Sequence, residues 1–352
     1  MTCRVCGNQN KKIFSSVRLP ECIWPTKKKS TFSKCHVYSC IKCNHLQLQN
    51  FSKKKISEFY GDTQFVLDKS TLNKQRISLI KKKYGNLYFK NKKILEIGGG
   101  FNPIFKNKNT FISDIKIQKK NKLNFKNRFY EIDIEEKKIE KKFDIIFLMH
   151  TLEHFKYPLK ALKNLKSSLK KNSKIFIEIP NLDFYVRKNT FYVLFHQHLN
   201  IFNLKHLKNI LGHSGLKIEK ILIKKEVIFC SVNLSKNEIK KTQIKKIDNK
   251  KIFKTFEKNL NLMKKKITVF LQNRKFDIYG AGGSMVLLIS SIPKVKNNIN
   301  KIFDSQVSKH GKIFPGTNIK ILKNNKTQHS QKFTSLSSYK TNKKNNLQIH
   351  TL

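Results

Sequence analysis

The chain has 352 residues, of which 39% are hydrophobic, and is long enough for two or three folded domains. No apolar run approaches the roughly 20 residues that cross a bilayer, and the sequence shows no secretory signal core, so we expect a cytoplasmic protein with no membrane partner. The formal net charge of +52 comes almost entirely from lysines spread along the whole chain, whereas arginine occurs at only six positions. Scarce arginine argues against nucleic acid as the partner and favours a solvated lysine-rich surface, which would also attract an anionic small molecule.

The first region, residues 1–60, carries two cysteine pairs with CxxC spacing. Each pair lets two thiolates converge on one ion, and two pairs complete the tetrahedral sulfur site that zinc prefers. The predicted metal ligands are Cys3, Cys6, Cys40 and Cys43. Four sulfur ligands leave no open position, so the predicted role of Zn²⁺ is structural. Cys22 and Cys35 lie between the pairs and are alternative ligands.

The second region, residues 70–235, alternates short apolar runs with amphipathic stretches, which is typical of βαβ units. An apolar strand beginning at Ile94 leads into a glycine turn that contains Glu96, Gly98 and Gly100. Glycines let the backbone approach a ligand closely. The turn lacks the GxGxxG spacing of dinucleotide-binding loops, and its acidic residue suits the cationic amino group and sulfonium of S-adenosylmethionine. We therefore predict these three residues as cofactor-binding.

Two more acidic residues follow at the ends of the next predicted strands. Asp114 ends the run from Phe111 and can accept the two ribose hydroxyls, and Asp133 can contact the adenine amino group. The buried-strand pattern Phe143–Met149 then leads directly into His150-Thr-Leu-Glu-His154. Ligands of such sheets lie beyond the carboxyl ends of the strands, where all these features fall. The ordered set predicts S-adenosylmethionine as the cofactor.

A segment with two histidines follows the fifth predicted strand, residues 174–180. His196 and His198 on an extended stretch would point to opposite sides, so only one of them needs to face a site. A metal site built from both is an alternative, although no third ligand is evident nearby.

The remainder divides into three predicted parts. Residues 236–274 form a helical linker with apolar residues at helical spacing. Residues 275–322 begin a second α/β unit, with strand Phe276–Tyr279, a glycine-rich turn, helix Met285–Ile292 and strand Ile299–Phe303. The polar segment 323–352 is predicted to be disordered or the product of a frameshift that truncates the unit.

Three blocks of the sequence resemble the sugar C-methyltransferase family of deoxysugar pathways. The first is the two cysteine pairs; the second runs from Glu96 through the His150–His154 motif to Phe195-His-Gln-His198; the third is Tyr279-Gly-Ala-Gly-Gly283 with Asp304 and Lys309-His-Gly311. The resemblance implies a class I, Rossmann-like methyltransferase sheet flanked by a small N-terminal zinc-binding domain and a C-terminal Rossmann-like lobe. It also implies a nucleotide-linked keto-sugar as the small-molecule substrate.

The resemblance also implies a mechanism, in which a base removes the proton next to a ketone and the resulting enolate receives the methyl group. By matching position, His198 is the catalytic base and His154 donates to the oxyanion. The implied substrate-binding residues are His196, Gln197, Tyr279 and Gly280.

This chain departs from the family at three positions. Gln197 and Phe195 stand where the family usually has glutamate and tyrosine, and Ser284 replaces a lysine. Tyr192 is a possible substitute for the missing hydroxyl. The departures leave a zinc-bearing scaffold protein as an alternative function. Methylation of an oxygen or nitrogen is a second alternative, and the zinc site together with the positive charge suggests an RNA-modifying enzyme as a third.

Overall fold

The computed structural model describes residues 2–49, 70–99, 103–115, 125, 127–187, 193–194, 196–235 and 275–323, together with single positions between 254 and 269. Its strands form three sheets of four, seven and three strands. The predicted α/β class with a central Rossmann-like sheet is confirmed.

The strands and helices have the following bounds. The strands are β1 (Lys11–Pro20), β2 (Phe32–Cys40), β3 (Leu46–Leu48), β4 (Ile94–Ile97), β5 (Thr110–Asp114), β6 (Phe129–Glu131), β7 (Phe143–Met149), β8 (Leu169–Pro180), β9 (Asn200–Ile201), β10 (Leu216–Lys224), β11 (Val227–Leu234), β12 (Phe276–Tyr279), β13 (Ile299–Asp304) and β14 (Ile321–Lys323). The α-helices are α1 (Ser70–Tyr84), α2 (Pro158–Ser167), α3 (Leu182–Arg187), α4 (Leu204–His213) and α5 (Gly283–Ser291). Short 3₁₀ turns cover Leu152–His154, Pro293–Asn298 and Val307–Lys309.

The central sheet has the strand order β10-β11-β8-β7-β4-β5-β6. The five strands from β8 to β6 are parallel, and β11 and β10 add antiparallel strands at one edge. Predominantly apolar runs such as those of β4 and β7 suit parallel strands that are buried on both faces. The chain leaves β4 in one direction along the sheet and returns to β7 on the other side, so the two strands flank the topological switch point where ligands bind.

Local sequence explains how two helices flank this sheet. Helix α2 has Pro158 in its first turn, where the missing N–H costs nothing, and buries Ala161, Leu162 and Leu165 on one face. Helix α4 begins with a reciprocal cap, because Asn203 accepts from the backbone N–H of His206 and the His206 ring accepts from that of Asn203.

The N-terminal sheet has the order β1-β2-β3-β9 and is completed by a distant part of the chain. Strand β9 pairs antiparallel with β3, with Leu46 opposite Ile201 and Gln47 opposite Asn200. Because β9 directly follows the histidine segment, that segment is attached to the cysteine-bearing sheet.

The C-terminal sheet is parallel in the order β12-β13-β14. The predicted strand at Phe276–Tyr279 has the observed bounds, whereas α5 begins two residues before its predicted start at Met285. The positions described between 254 and 269 are helical, but the apolar positions on which the predicted linker helix depends lie outside the described residues, as does the segment 324–352. Within the described residues, no helix has the length and apolarity needed to span a membrane.

Candidate active site

The glycine loop after β4 packs closely against the turn after β7. Gly98 has φ +76°, and a Cβ at this position would lie 2.8 Å from Thr151 Oγ1. Thr151 Oγ1 itself donates to the Ile97 carbonyl at 3.1 Å. A Cβ at Gly99 would lie 2.8 Å from the Glu96 side chain. The two glycines therefore allow the loop after β4 to approach Thr151 and its own Glu96 side chain closely at the switch point.

Acidic residues surround this loop. The buried Glu96 carboxylate accepts from the Ile104 N–H at 2.6 Å. Asp114 ends β5 on the neighbouring strand, and Asp133 follows β6 in a turn where its Oδ1 accepts from the Glu135 N–H at 2.9 Å. The structure thus places Glu96, Gly98, Asp114 and Asp133 along one edge of three adjacent strands, while Gly100 lies outside the described residues. The glycines leave no room for side chains, and carboxylates flank them. Both features fit S-adenosylmethionine, which carries two cationic groups and ribose hydroxyls.

His154 and His198 lie together at the same edge of the sheet, with ring centroids 5.1 Å apart. His154 Nδ1 donates to the Gln197 carbonyl at 2.7 Å, and His198 Nδ1 donates to the Val193 carbonyl at 3.0 Å. In the neutral ring the lone pair is therefore on Nε2 in both cases. Neutral His198 can accept a proton there, whereas His154 can donate from Nε2 only in its protonated form.

The surroundings of His198 favour its neutral form. Burial, followed by the charge of His154, lowers the pKa of His198 well below its usual value, and the hydrogen bond to Val193 only partly opposes this. The imidazole therefore remains available as a proton acceptor in weakly acidic solution.

The predicted extended conformation of the histidine segment is wrong. Residues 196 and 197 form a turn, and His196 and His198 are both buried, so alternation along a strand does not apply. Burial, followed by the charge of His154, lowers the pKa of His196 to about 3. Gln197 is partly exposed, and its backbone carbonyl holds His154. Among the described residues, the potential metal-ligand atoms that lie within 4.8 Å of one another at this place belong to Glu153, His154 and His198. The alternative metal site built from His196 and His198 is therefore not formed.

A largely buried ionic network, which the sequence does not predict, lies next to the histidines. Arg76 in α1 forms a two-pronged ion pair with Glu178 in β8, with Nε 3.0 Å from Oε2. His150 donates from Nε2 to Glu178 Oε1 at 3.0 Å and from Nδ1 to Glu153 Oε1 at 3.3 Å. The His150-Thr-Leu-Glu-His154 motif pointed to this strand end, but α1 and β8 are far apart in the sequence, so no local pattern connects Arg76 with Glu178.

The network fixes the charge of its members. Burial alone would lower the pKa of His150, but its hydrogen bonds to Glu153 and Glu178 raise it to about 9. Burial alone would raise the pKa of Glu178, but hydrogen bonds from His150 and Arg76 lower it to about 2. His150 is therefore an imidazolium and Glu178 a carboxylate near neutral pH.

The four predicted metal ligands converge in the N-terminal lobe. Cys3 and Cys43 have their Sγ atoms 3.6 Å apart, Cys6 and Cys40 have theirs 3.5 Å apart, and all four sulfurs lie within 4.8 Å of one another. Zn–S bonds of about 2.3 Å place tetrahedral sulfurs about 3.8 Å apart, so the group fits zinc.

The turns and the other cysteines support the same four-sulfur group. Gly7 and Asn44, each directly after the second cysteine of a pair, have left-handed φ values of +72° and +55° that turn the chain around the sulfurs. The alternatives Cys22 and Cys35 are not members of the group, and Cys22 instead bonds to the Trp24 backbone.

Residues of the N-terminal lobe also hold the histidine segment. The Arg4 side chain, inside the first cysteine pair, donates to the carbonyls of Leu199 and Leu48 at 2.5 and 2.9 Å. The buried Asn200 side chain donates to the Phe155 carbonyl at 2.7 Å and bonds to His45 Nε2 at 3.0 Å. These contacts connect both histidine-bearing turns to the cysteine lobe.

Tyr279 and Gly280 lie at the carboxyl edge of the C-terminal sheet, and thus in a different sheet from the histidines. Tyr279 stacks on Phe303 with ring centroids 5.1 Å apart, and Gly280, with φ +99°, donates its N–H to the Phe303 carbonyl at 2.7 Å. Buried Asp304 accepts from the Ala281 N–H and from Lys309 Nζ, both at 2.7 Å. The glycine turn is therefore held by a buried ion pair.

Two protein families match the chain. The methyltransferase domain family matches residues 72–221, and the C-methyltransferase C-terminal domain family matches residues 233–335. No curated protein matches the chain.

Solved structures of methyltransferases are similar to parts of it. The pyocyanin biosynthetic protein PhzM is 14% identical with a TM-score of 0.36, over 46% of this chain and 55% of PhzM. An S-adenosylmethionine-dependent methyltransferase from Clostridium acetobutylicum is 15% identical with a TM-score of 0.38, over 51% of this chain and 98% of that one. The 1,6-didemethyltoxoflavin-N1-methyltransferase of Burkholderia thailandensis is 11% identical with a TM-score of 0.39, over 55% of this chain and 97% of that one. The chain thus spans just over half the length of PhzM.

The first match covers the five parallel strands of the central sheet with the glycine loop after β4, and the second covers the glycine-rich C-terminal sheet. The strand order around β4 and β7 and the acidic edge of the sheet agree with the first match. The chain therefore carries a methyltransferase domain at residues 72–221 and a C-methyltransferase C-terminal domain at residues 233–335.

Proposed function

We propose that the protein methylates a carbon next to the ketone of a nucleotide-linked deoxysugar. The observation that carries this proposal is the buried imidazole of His198. Its Nδ1 donates to the Val193 carbonyl, so an unprotonated Nε2 lies at the edge of the sheet that holds the glycine loop after β4. A ketone α-proton needs such a positioned base. When bound, S-adenosylmethionine supplies an electrophilic methyl group on sulfur.

The two histidines divide the proton chemistry between them. His198 Nε2 takes the proton from the substrate carbon, and the electron pair of the broken C–H bond moves onto the carbonyl oxygen. Protonated His154 donates from Nε2 to this oxyanion, since its Nδ1 is occupied by the Gln197 carbonyl. In its protonated form His154 adds to the effect of burial and helps to keep its neighbour His198 neutral before the reaction.

The other assignments complete the proposal. Zn²⁺ held by the four cysteines has a structural role, and the lysine-rich surface attracts the anionic nucleotide of the substrate. Tyr279, Gly280 and His196 contact that substrate. Gln197 cannot accept a proton, and its contribution is the backbone carbonyl that orients His154. A cytoplasmic location is part of the same proposal.

The direct test is incubation with methyl-¹³C-labelled S-adenosylmethionine and a panel of keto-deoxysugar nucleotides, followed by NMR of the product. The proposal requires the label on carbon. Label on oxygen or nitrogen would instead show an O- or N-methyltransferase, and cofactor binding without turnover of any panel member would contradict the substrate class.

Variants separate an enzyme from a scaffold protein. We expect His198→Ala to lower kcat by roughly 10²- to 10⁴-fold, the range for loss of a general base. His36→Ala, a histidine on β2 that bonds to Ser16, is the matched control and should retain activity. Equal function of both variants would contradict the role of His198.

A further inference from the structure

Glu153 is a buried carboxylate that lies between two histidines. Its side chain is 1% exposed, and its Oε1 is 3.3 Å from His150 Nδ1 and 3.9 Å from His198 Nε2. Its Oε2 has no hydrogen-bond partner within the part of the chain that the structure describes. A buried carboxylate with an unsatisfied oxygen is costly, so its presence beside His198 calls for an explanation.

The charges behind Glu153 alternate along one line. Arg76, Glu178, His150 and Glu153 carry plus, minus, plus and minus, each in contact with its opposite. His150 adopts a left-handed conformation with φ +51°, which is unusual for a non-glycine residue and places its ring between the two carboxylates. The four charges sum to zero, and the last of them, on Glu153, lies next to Nε2 of His198.

We infer that Glu153 is the positioning carboxylate of His198, which stabilises the imidazolium formed when His198 takes the substrate proton. This inference rests on the proposed function, in which the proton leaves the substrate carbon and binds to His198 Nε2. At 3.9 Å the neutral ring and the carboxylate are not hydrogen-bonded, so the interaction is strongest only after proton transfer.

The surroundings of His198 explain why a carboxylate is needed. Three imidazoles, those of His150, His154 and His196, all disfavour a positive charge on the ring, as does burial. The residue next to His198 in the sequence is Gln197, whose amide carries no charge. Glu153 supplies from the end of the β7 turn the negative charge that the histidine segment itself lacks.

A divalent metal is the rival occupant, because Glu153, His154 and His198 present three metal-type atoms within 4.8 Å. The arrangement of charges favours the carboxylate–imidazole pair. The buried network is balanced without an ion, and a dication would stand beside the imidazolium of His150.

The test follows the pKa of His198 by NMR of ¹³C-histidine-labelled protein, with the signal assigned from His198→Gln. Glu153→Gln keeps the shape of the side chain and removes its charge. We expect it to lower the pKa of His198 by at least one unit and kcat by 10- to 100-fold, with little change in KM. Glu153→Asp should shift both in the same direction by less. Glu219→Gln is the matched control, a carboxylate paired with Lys174 far from the carboxyl edge.

An unchanged pKa of His198 in both Glu153 variants would overturn the inference. So would metal analysis that finds two bound ions in the wild type and one in Glu153→Gln, because the cluster would then be a metal site. The NMR titration needs no substrate, so its failure is distinguishable from failure of the proposed function. If the pKa shifts but no keto-sugar is methylated, only the substrate assignment fails.

Discussion

His154 and His198 hold their rings in the same way, with Nδ1 bonded to a backbone carbonyl, yet they serve opposite purposes in the proposed reaction. The difference comes from burial and neighbouring charge rather than from the side chain. The pH dependence of catalysis therefore reports on these surroundings.

We expect kcat/KM to show no loss of activity from protonation of His198 between pH 7 and 6. Its pKa lies well below 6.5, so the neutral base persists throughout this interval. The measurement is a pH profile of kcat/KM over a range in which the protein remains folded. An acidic limb with a midpoint near 6.5 that disappears in a His198 variant would contradict the assignment.

A substitution at Gly98 tests whether the glycine loop after β4 binds the cofactor. We expect Gly98→Ala to weaken S-adenosylmethionine binding at least tenfold, because its φ of +76° is strained for alanine and the new Cβ would lie 2.8 Å from Thr151 Oγ1. Gly85→Ala is the control, since Gly85 also has a positive φ but no atom within 4 Å of an added Cβ. Equal affinity of the two variants, measured by calorimetry, would show that the loop does not approach the cofactor.

At the scale of elements, β9 and Arg4 join the cysteine lobe to the histidine segment. We expect Arg4→Gln to lower kcat several-fold while the metal content and cofactor affinity remain unchanged, because the Leu199 carbonyl loses its charged donor. Lys42→Gln, an exposed residue inside the second cysteine pair, is the control. An Arg4 variant with wild-type kcat would contradict this positioning role, and loss of metal would show that Arg4 acts on the cysteine site instead.

The elements also show what sequence patterns can predict. The apolar run Phe143–Met149 matches β7 in both bounds, because a strand buried on both faces needs continuous apolar residues. The sequence predicts an extended stretch at residues 196 and 197, where the structure has a turn. The conformation of this turn depends on contacts with His154 and on the pairing with β3, which are distant in sequence, so no local pattern indicates it. Likewise, CxxC spacing identified the sulfur group, whereas the contacts of Arg4 and Asn200 have no local signal.

At the scale of the whole molecule, the protein buries several neutral histidines. Burial is the largest cause of the lowered pKa values of these histidines. The pKa is about 3 for His45 and His196 and about 4 for His206, and it is also lowered for His198. Below pH 6.5 the unfolded chain binds protons that the folded chain does not, so the free energy of unfolding decreases as pH falls. Each such group contributes a slope of about 1.4 kcal/mol per pH unit.

We therefore expect the Tm to fall steadily from pH 6.5 to pH 4.5. His150 acts in the opposite direction, since its raised pKa contributes stability that is complete below pH 6.5 and is lost as the pH rises through about 9. Thermal denaturation from pH 4.5 up to a pH above about 9 measures both effects. A Tm that is constant from pH 6.5 to 4.5 would contradict the burial of neutral histidines.

Calorimetric titration of the purified protein with S-adenosylmethionine tests most directly the claim that the carboxyl edge of the central sheet binds this cofactor. We expect one molecule to bind per chain in the wild type, and Glu96→Ala, which removes the buried carboxylate of the loop, to weaken binding at least tenfold. No binding to folded wild-type protein would contradict the account.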